Sequence, residues 1–289
     1  MNHPAELTLH KLLTDLRDGK TSMSHSSIEQ IVSGVRDSLE RQFGGGGQQA
    51  FRLRMSNIGR PYCQLWYQKN RPDIERSLPT TFILNMMLGD IVEAVFKGLL
   101  TEAGVEYTDS EEVRLELEDG TVIKGTTDLS IDGAVDDVKS ASPWSYMHKF
   151  SDFQTLKKGD SFGYVGQLAG YAKGLDKKAG GWWVINKANG NFKYVEANEL
   201  DIDEEITTLQ DKVQKLDIND FERSFEAVPE YYRRKPTGNT VLNSGCKFCD
   251  YKRDCYKSLI TRPSIPSTAK EPPEVDYVHI EEKYNDYKG

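Results

Sequence analysis

Three of the chain's four cysteines, Cys246, Cys249 and Cys255, fall within ten residues as Cys-x2-Cys-x5-Cys, while Cys63 stands alone far upstream. Three thiols so close together rarely all pack as small hydrophobes. If the four act as one set, the fold must carry residue 63 back to the C-terminal region and keep a very long loop closed. A Cys-x2-Cys pair alone suits a zinc knuckle or a redox couple, and four thiolates suit zinc or an iron–sulfur cluster. Structural zinc sites more often gather two local pairs, so the one-plus-three arrangement leans towards iron and sulfur.

The start, MNHPAELTLHKLL, has neither a long apolar run nor a small-residue cleavage site, and no stretch reads as a membrane span. A cytoplasmic, reducing setting with no membrane partner is therefore expected, where clustered cysteines serve metals or catalysis. With 289 residues the chain can bury one sizeable core. The net charge of -8 argues at first against a nucleic-acid partner, but the charge is unevenly spread. Residues 102–137 hold twelve acidic and two basic side chains, and residues 51–76 hold six basic and two acidic ones. That asymmetry allows a basic groove beside an acidic, metal-binding pocket.

The chain reads in four parts. Residues 1–50 form a helical arm: Ser26 and Glu29 have capping-box spacing, Ile28, Ile31, Val32, Val35, Leu39 and Phe43 keep helical period, and glycines 44–47 make a flexible joint. Residues 51–240 form the core. There an amphipathic helix is expected over 81–100, then hairpins turning at Asp119-Gly120 and Asp132-Gly133, a helix over 162–175, a hairpin at Asn189-Gly190 and an acidic helix from Ile202 to Leu216. Residues 241–260 hold the cysteine triplet, and 261–289, rich in proline and charge, read as a flexible tail. The order predicts an α/β fold with a mixed central sheet flanked by helices, neither a bundle nor a sandwich.

The hairpin at Asp132-Gly133 carries the chemistry. With those two residues as the loop, antiparallel pairing sets Ile131 opposite Ala134, Leu129 opposite Asp136 and Asp128 opposite Asp137. Opposed carboxylates destabilise a sheet unless a cation lies between them. Lys139, two residues beyond Asp137, shares its face. Mg²⁺ and Mn²⁺ favour such oxygen ligands and bridge to phosphate, while a nearby lysine orients or deprotonates water and offsets developing charge. That is the chemistry of phosphodiester hydrolysis. A bland alternative is a solvated strand edge with an ordinary Asp137–Lys139 charge pair.

Gly125-Thr126-Thr127-Asp128 followed by Asp137-Val138-Lys139 resembles the GxxD and (D/E)xK motifs of the PD-(D/E)XK superfamily, specifically its RecB-like exonucleases. Gln167-Leu168-Ala169-Gly170-Tyr171 is similar to the QxxxY motif that follows the lysine there, and i, i+4 spacing puts Gln167 and Tyr171 on one helix face. Gly89-Asp90-Ile91-Val92-Glu93 stands where the family has GxxxH, with Glu93 in place of histidine. The resemblance implies a restriction-endonuclease-like core. It implies that Glu93, Asp128, Asp137 and the Val138 carbonyl hold Mg²⁺ or Mn²⁺, that Lys139 positions the attacking water, and that Gln167 and Tyr171 order the substrate strand. Without it, Glu93 reads equally as a surface residue paired with Lys97, and Gln167 with Tyr171 as a core-edge pair.

The cysteine order is also similar to that of AddB-type and CRISPR-associated members, which place one cysteine before the nuclease motifs and three after them. This implies a [4Fe-4S] cluster on Cys63, Cys246, Cys249 and Cys255, with zinc as the alternative. The expected activity is that of a DNA exonuclease acting on single-stranded or end-containing DNA in replication, recombination or repair; compact stand-alone members of the group are frequent in bacteriophages. An endonuclease or flap-cutting enzyme with the same site, or a non-catalytic DNA-binding subunit of a recombination complex, are the alternatives. Outside the motifs, Tyr231-Tyr232-Arg233-Arg234-Lys235 mixes aromatics and cations as single-strand binders do, and Trp182 and Trp183 offer rings for base stacking, although strand core is the better reading of the tryptophans.

Overall fold

The structure, a computed structural model, describes residues 3–44, 50–74 and 81–282, with residues 81 and 82 described by backbone alone. Apart from Gly44, the expected glycine joint lies outside the described residues. The helices are α1 Pro4–Arg17, α2 His25–Phe43, α3 Met55–Ile58, α4 Tyr62–Asn70, α5 Thr81–Glu102, α6 Phe153–Lys158, α7 Tyr164–Leu175, α8 Ile202–Ile218 and α9 Lys252–Cys255. The strands are β1 Thr108–Asp109, β2 Glu112–Glu116, β3 Val122–Thr126, β4 Leu129–Ile131, β5 Ala134–Ala141, β6 Lys178–Asn186, β7 Phe192–Glu196, β8 Val228–Tyr232, β9 Lys235–Val241, β10 Ile260–Pro263 and β11 Glu274–His279. A single π-helical turn, Ser145–Lys149, follows β5. The chain is a mixed α/β protein that divides into two compact units, residues 1–59 with 78–214 and residues 60–77 with 215–289.

In the first unit a five-stranded sheet runs β1-β4-β5-β6-β7, with β5 and β6 parallel and the other neighbours antiparallel. Asp132 and Gly133 take φ of 51° and 77°, the pair of positive values a two-residue hairpin loop needs. That turn sets Ile131 opposite Ala134 and Leu129 opposite Asp136, the expected register. Pleating then sorts β5, with Val135, Asp137 and Lys139 on one face and Asp136 and Val138 on the other. On the first face Leu168 and Tyr171 of α7 join Val135, Trp182 and Val184 in one core. On the second, Leu9 of α1 and Phe96 and Leu100 of α5 pack with Val138 and Trp183. The two tryptophans are fully buried in opposite cores, as the strand-core reading expects.

The helical arm, read from the sequence as a separate part, is instead built into this unit. Ala5 and Leu9 are core residues, and α2 crosses α5 so closely that a Cβ on Gly98 would come within 2.2 Å of Ile31 Cγ1. The cap of α2 is Ser24, two residues before the expected Ser26. Ser24 Oγ accepts the Ser27 amide at 3.3 Å while the Ser24 amide donates to Glu102 at 2.9 Å. Glu102 ends α5, so the cap is decided by a tertiary partner that local spacing cannot show.

The second unit holds an antiparallel sheet in the order β10-β11-β9-β8. Residues from 261 on, expected as a flexible tail, supply most of β10 and all of β11. The physical reason is a buried carboxylate: Glu230 accepts hydrogen bonds from Thr237 at 2.8 Å, Asn239 at 2.8 Å and Tyr277 at 2.7 Å, tying β11 to the β8–β9 hairpin. The same unit recruits α4, whose Tyr67 stacks on Tyr251 at 5.0 Å and meets Phe221 edge-on. The boundaries expected at 240 and 260 are therefore not where the chain divides.

Candidate active site

Asp137 is carried by the central strand β5 and is 2% exposed. Its Oδ1 accepts a hydrogen bond from Lys139 Nζ at 2.8 Å, and Oδ2 lies 2.7 Å from the same ammonium. Oδ2 lies outside hydrogen-bond geometry and has no hydrogen-bond partner among the described residues. Its contact with the ammonium is an ion pair without a hydrogen bond, so this oxygen keeps acceptor capacity for a further cation. Asp128 lies one residue beyond the β4–β5 ladder, so the expected opposition to Asp137 is made by side chains. Its Oδ2 accepts the Val138 amide at 2.7 Å, standing in for the next ladder bond.

Both carboxyls are pushed up from the usual carboxylate range. For Asp128 burial is the larger cause and the Asp137 charge adds to it; for Asp137 burial acts first, against the pull of Lys139. Burial opposes the charge on Lys139, but Asp137 and Asp128 outweigh it and raise its pKa, so the ammonium is firmly held. Two close carboxyls at raised pKa form an oxygen donor set of the kind that fits a divalent cation.

The structure brings the other candidates to the same place unequally. Glu93 of α5 raises the pKa of Asp137 through space, and its own carboxyl is raised by burial and then by Asp128. Yet Glu93 Oε1 pairs with Lys97 at 2.7 Å, the alternative its sequence spacing offered. Gln167 Nε2 donates to the Tyr171 hydroxyl at 3.3 Å. Burial pushes Tyr171 up to about 12, and the charges of Asp137 and Asp128 add to the rise, so its hydroxyl lies within electrostatic reach of both carboxyls. Gly125 makes room for it, because a Cβ there would lie 2.4 Å from Met55 Cβ and 2.9 Å from Tyr171 Cε1.

Sequence reasoning missed Asp136. It is 2% exposed on the opposite face of β5, where Tyr194 donates to it at 2.8 Å and Trp183 Nε1 at 3.3 Å. Burial nevertheless pushes it up to about 7. The available signal was an acid placed by strand alternation on the same face as Val138, towards the second core.

The four cysteines all lie in the second unit, and none forms a disulfide. Burial pushes Cys246 up to about 11 and Cys249 up to about 12 and also raises Cys255, and in each case the charge of Cys63 adds to the rise. Cys63, on the first turn of α4, is thus within electrostatic reach of the whole triplet. Four clustered thiols suit a thiophilic metal or cluster, whose binding releases their protons. Among the described residues, no three His, Cys, Asp or Glu side chains stand ready-made to hold a metal ion, so both donor sets would have to draw in around one. The Tyr231–Lys235 run forms the tip of the β8–β9 hairpin, with Arg233 and Arg234 at positive φ and Tyr231 exposed.

Among the described residues no helix is long and apolar enough to cross a membrane. No protein-family model matches the sequence, and no curated protein matches it. Among solved structures, the crystal structure of SSO0001 aligns with it at 15% identity, covering 78% of this chain and 95% of that one with a TM-score of 0.45, a likeness too distant to bear on function.

Proposed function

We propose that this chain is a metal-dependent DNA nuclease of the PD-(D/E)XK type, with the β5 sheet as its restriction-endonuclease-like core. The observation that carries the reading is the convergence of the buried Asp137 carboxyl and the Asp128 carboxyl, both at raised pKa, with the Lys139 ammonium. Asp128, Asp137 and the Val138 carbonyl would hold Mg²⁺ or Mn²⁺, joined by Glu93 once it releases Lys97. The metal supplies Lewis-acid polarisation of the phosphate and a more acidic bound water. Lys139, kept charged by its neighbours, orients the attacking water and offsets charge on the phosphate. Gln167 and Tyr171 order the substrate strand.

The four cysteines would hold a [4Fe-4S] cluster, or zinc, as a structural clip between the two segments of the second unit. Visible charge-transfer absorption, with iron, sulfide and zinc analysis of anaerobically purified protein, separates the two.

Purified protein with Mn²⁺ or Mg²⁺ should release nucleotides from linear DNA, and Lys139→Ala or Asp137→Asn should slow this by roughly 10²- to 10⁴-fold. Intact substrate under every metal, or full activity in Lys139→Ala, defeats the reading. Circular single-stranded DNA resists an exonuclease and is cut by an endonuclease. The Glu93–Lys97 pair favours a second reading, a non-catalytic DNA-binding subunit, which would bind DNA and leave it uncut in Mg²⁺ and Mn²⁺ alike.

A further inference from the structure

Lys149 closes the π-helical turn that follows β5, and its side chain is only 10% exposed. Among the described residues its Nζ has no hydrogen-bond partner. The ammonium sits 4.5 Å from the centre of the Phe162 ring and 4.4 Å from that of Tyr164, two rings stacked 10° from parallel. Lys139 Nζ stands 5.0 Å from the centre of the same Tyr164 ring. One aromatic side chain thus touches both the Lys139 and the Lys149 ammonium.

The nearest paired carboxylate does little for Lys149. Asp160 Oδ1 is 3.9 Å away, beyond hydrogen-bond reach, and both Asp160 oxygens already accept backbone amides, Gly163 at 2.9 Å and Val165 at 2.8 Å. Burial lowers the pKa of Lys149 to about 8, with Asp160 opposing the shift and Lys139 adding to it. A desolvated ammonium held by ring faces and one carboxylate at 3.9 Å, with no hydrogen bond, is an unfavourable arrangement in the free protein. An anion supplied from outside completes it. The neighbouring lysine selects which anion, because the chemistry assigned to Lys139 is that of a phosphodiester. Phe162 is 42% exposed, so part of this ring is open to solvent.

We propose that Lys149, seated against Phe162 and Tyr164, binds the backbone phosphate next to the one at Asp137 and Lys139, and that Phe162 stacks on the base of that nucleotide. A base stacked on a side chain has left the duplex, so the site takes single strands in preference to double strands. The inference rests on the nuclease reading for the position of the scissile phosphate, and its test does not require cleavage.

The test is fluorescence anisotropy of the full-length protein with a labelled single-stranded oligonucleotide and its duplex, in EDTA, over a series of salt concentrations. Lys149→Gln should weaken single-strand binding about tenfold and flatten the log–log salt slope by about 0.7, the loss of one phosphate contact, and Lys149→Arg should restore the slope. Phe162→Leu should weaken single-strand binding about tenfold at unchanged salt slope and reduce the preference over duplex. Thermal melts establish that each variant is folded. Wild-type affinity and slope in folded Lys149→Gln, no single-strand preference in the wild type, or no DNA binding at all overturns the proposal. Binding changes as expected in a protein that cuts nothing with Mn²⁺ would leave the phosphate site standing and remove the nuclease reading.

Discussion

Asp137 answers to conflicting neighbours: Lys139 and the adjacent Asp128 carboxyl favour its charged form, while burial and the charge of Glu93 disfavour it. A divalent cation resolves that conflict, so Ca²⁺, as a metal that binds without supporting turnover, should raise the melting temperature of the wild type. Asp137→Asn should lose this shift, as differential scanning fluorimetry would show; an equal shift in the variant would place the cation elsewhere. Lys149 has the opposite character, a charge that the free protein holds at a disadvantage. Its folded-state pKa of about 8 lies below the ordinary 10.5, so between those values the unfolded chain binds the extra proton. The stability linked to this group is therefore fully present above 10.5 and lost as pH falls through 8. Chemical denaturation should find Lys149→Met more stable than wild type by about 1 kcal/mol below pH 8, with the gap closing as the pH rises.

At the scale of elements, the α2–α5 crossing and the β8–β9 hairpin make distinct demands. Gly98 lets α2 approach α5, and Gly98→Ala would overpack Ile31 and lower stability by about 1–3 kcal/mol, measurable in urea. A smaller loss would mean that α2 is held less closely. Arg233 and Arg234 occupy the left-handed turn positions that Asn-Gly fills more readily. The double change Arg233→Asn with Arg234→Gly should therefore stabilise the hairpin by roughly 1 kcal/mol. If the basic tip touches nucleic acid, the same change should also weaken single-strand binding and flatten its salt dependence. The hairpin escaped sequence analysis because its turn lacks the usual residues and Pro229, Pro236 and Gly238 interrupt any strand-like alternation.

At the scale of the whole molecule, the second unit is assembled from two distant segments, with Cys63 of one within electrostatic reach of the cysteine triplet of the other. If the thiols hold a metal or cluster as proposed, chelating it, or replacing Cys249 with Ala, should raise hydrogen exchange in β8–β11 and α4 while leaving β5 and β6 protected; exchange unchanged in both would show that the thiols carry no structural metal. Local chemistry in the sequence determined much of the candidate site by itself. A two-residue Asp-Gly loop admits one register, and period-two alternation then puts Asp137 with Lys139 on one face and Asp136 on the other. Helical spacing likewise joined Gln167 to Tyr171 and offered Lys97 to Glu93. Only the tertiary structure decided where Ser24 finds its capping partner, that the N-terminal arm is core, and that β11 joins the β8–β9 hairpin through Glu230. It alone placed Lys149 against the ring that Lys139 also faces. Register and periodicity are properties of neighbouring residues along one chain, whereas a cap, a buried ion or a shared ring depends on groups that become neighbours only when the chain has folded.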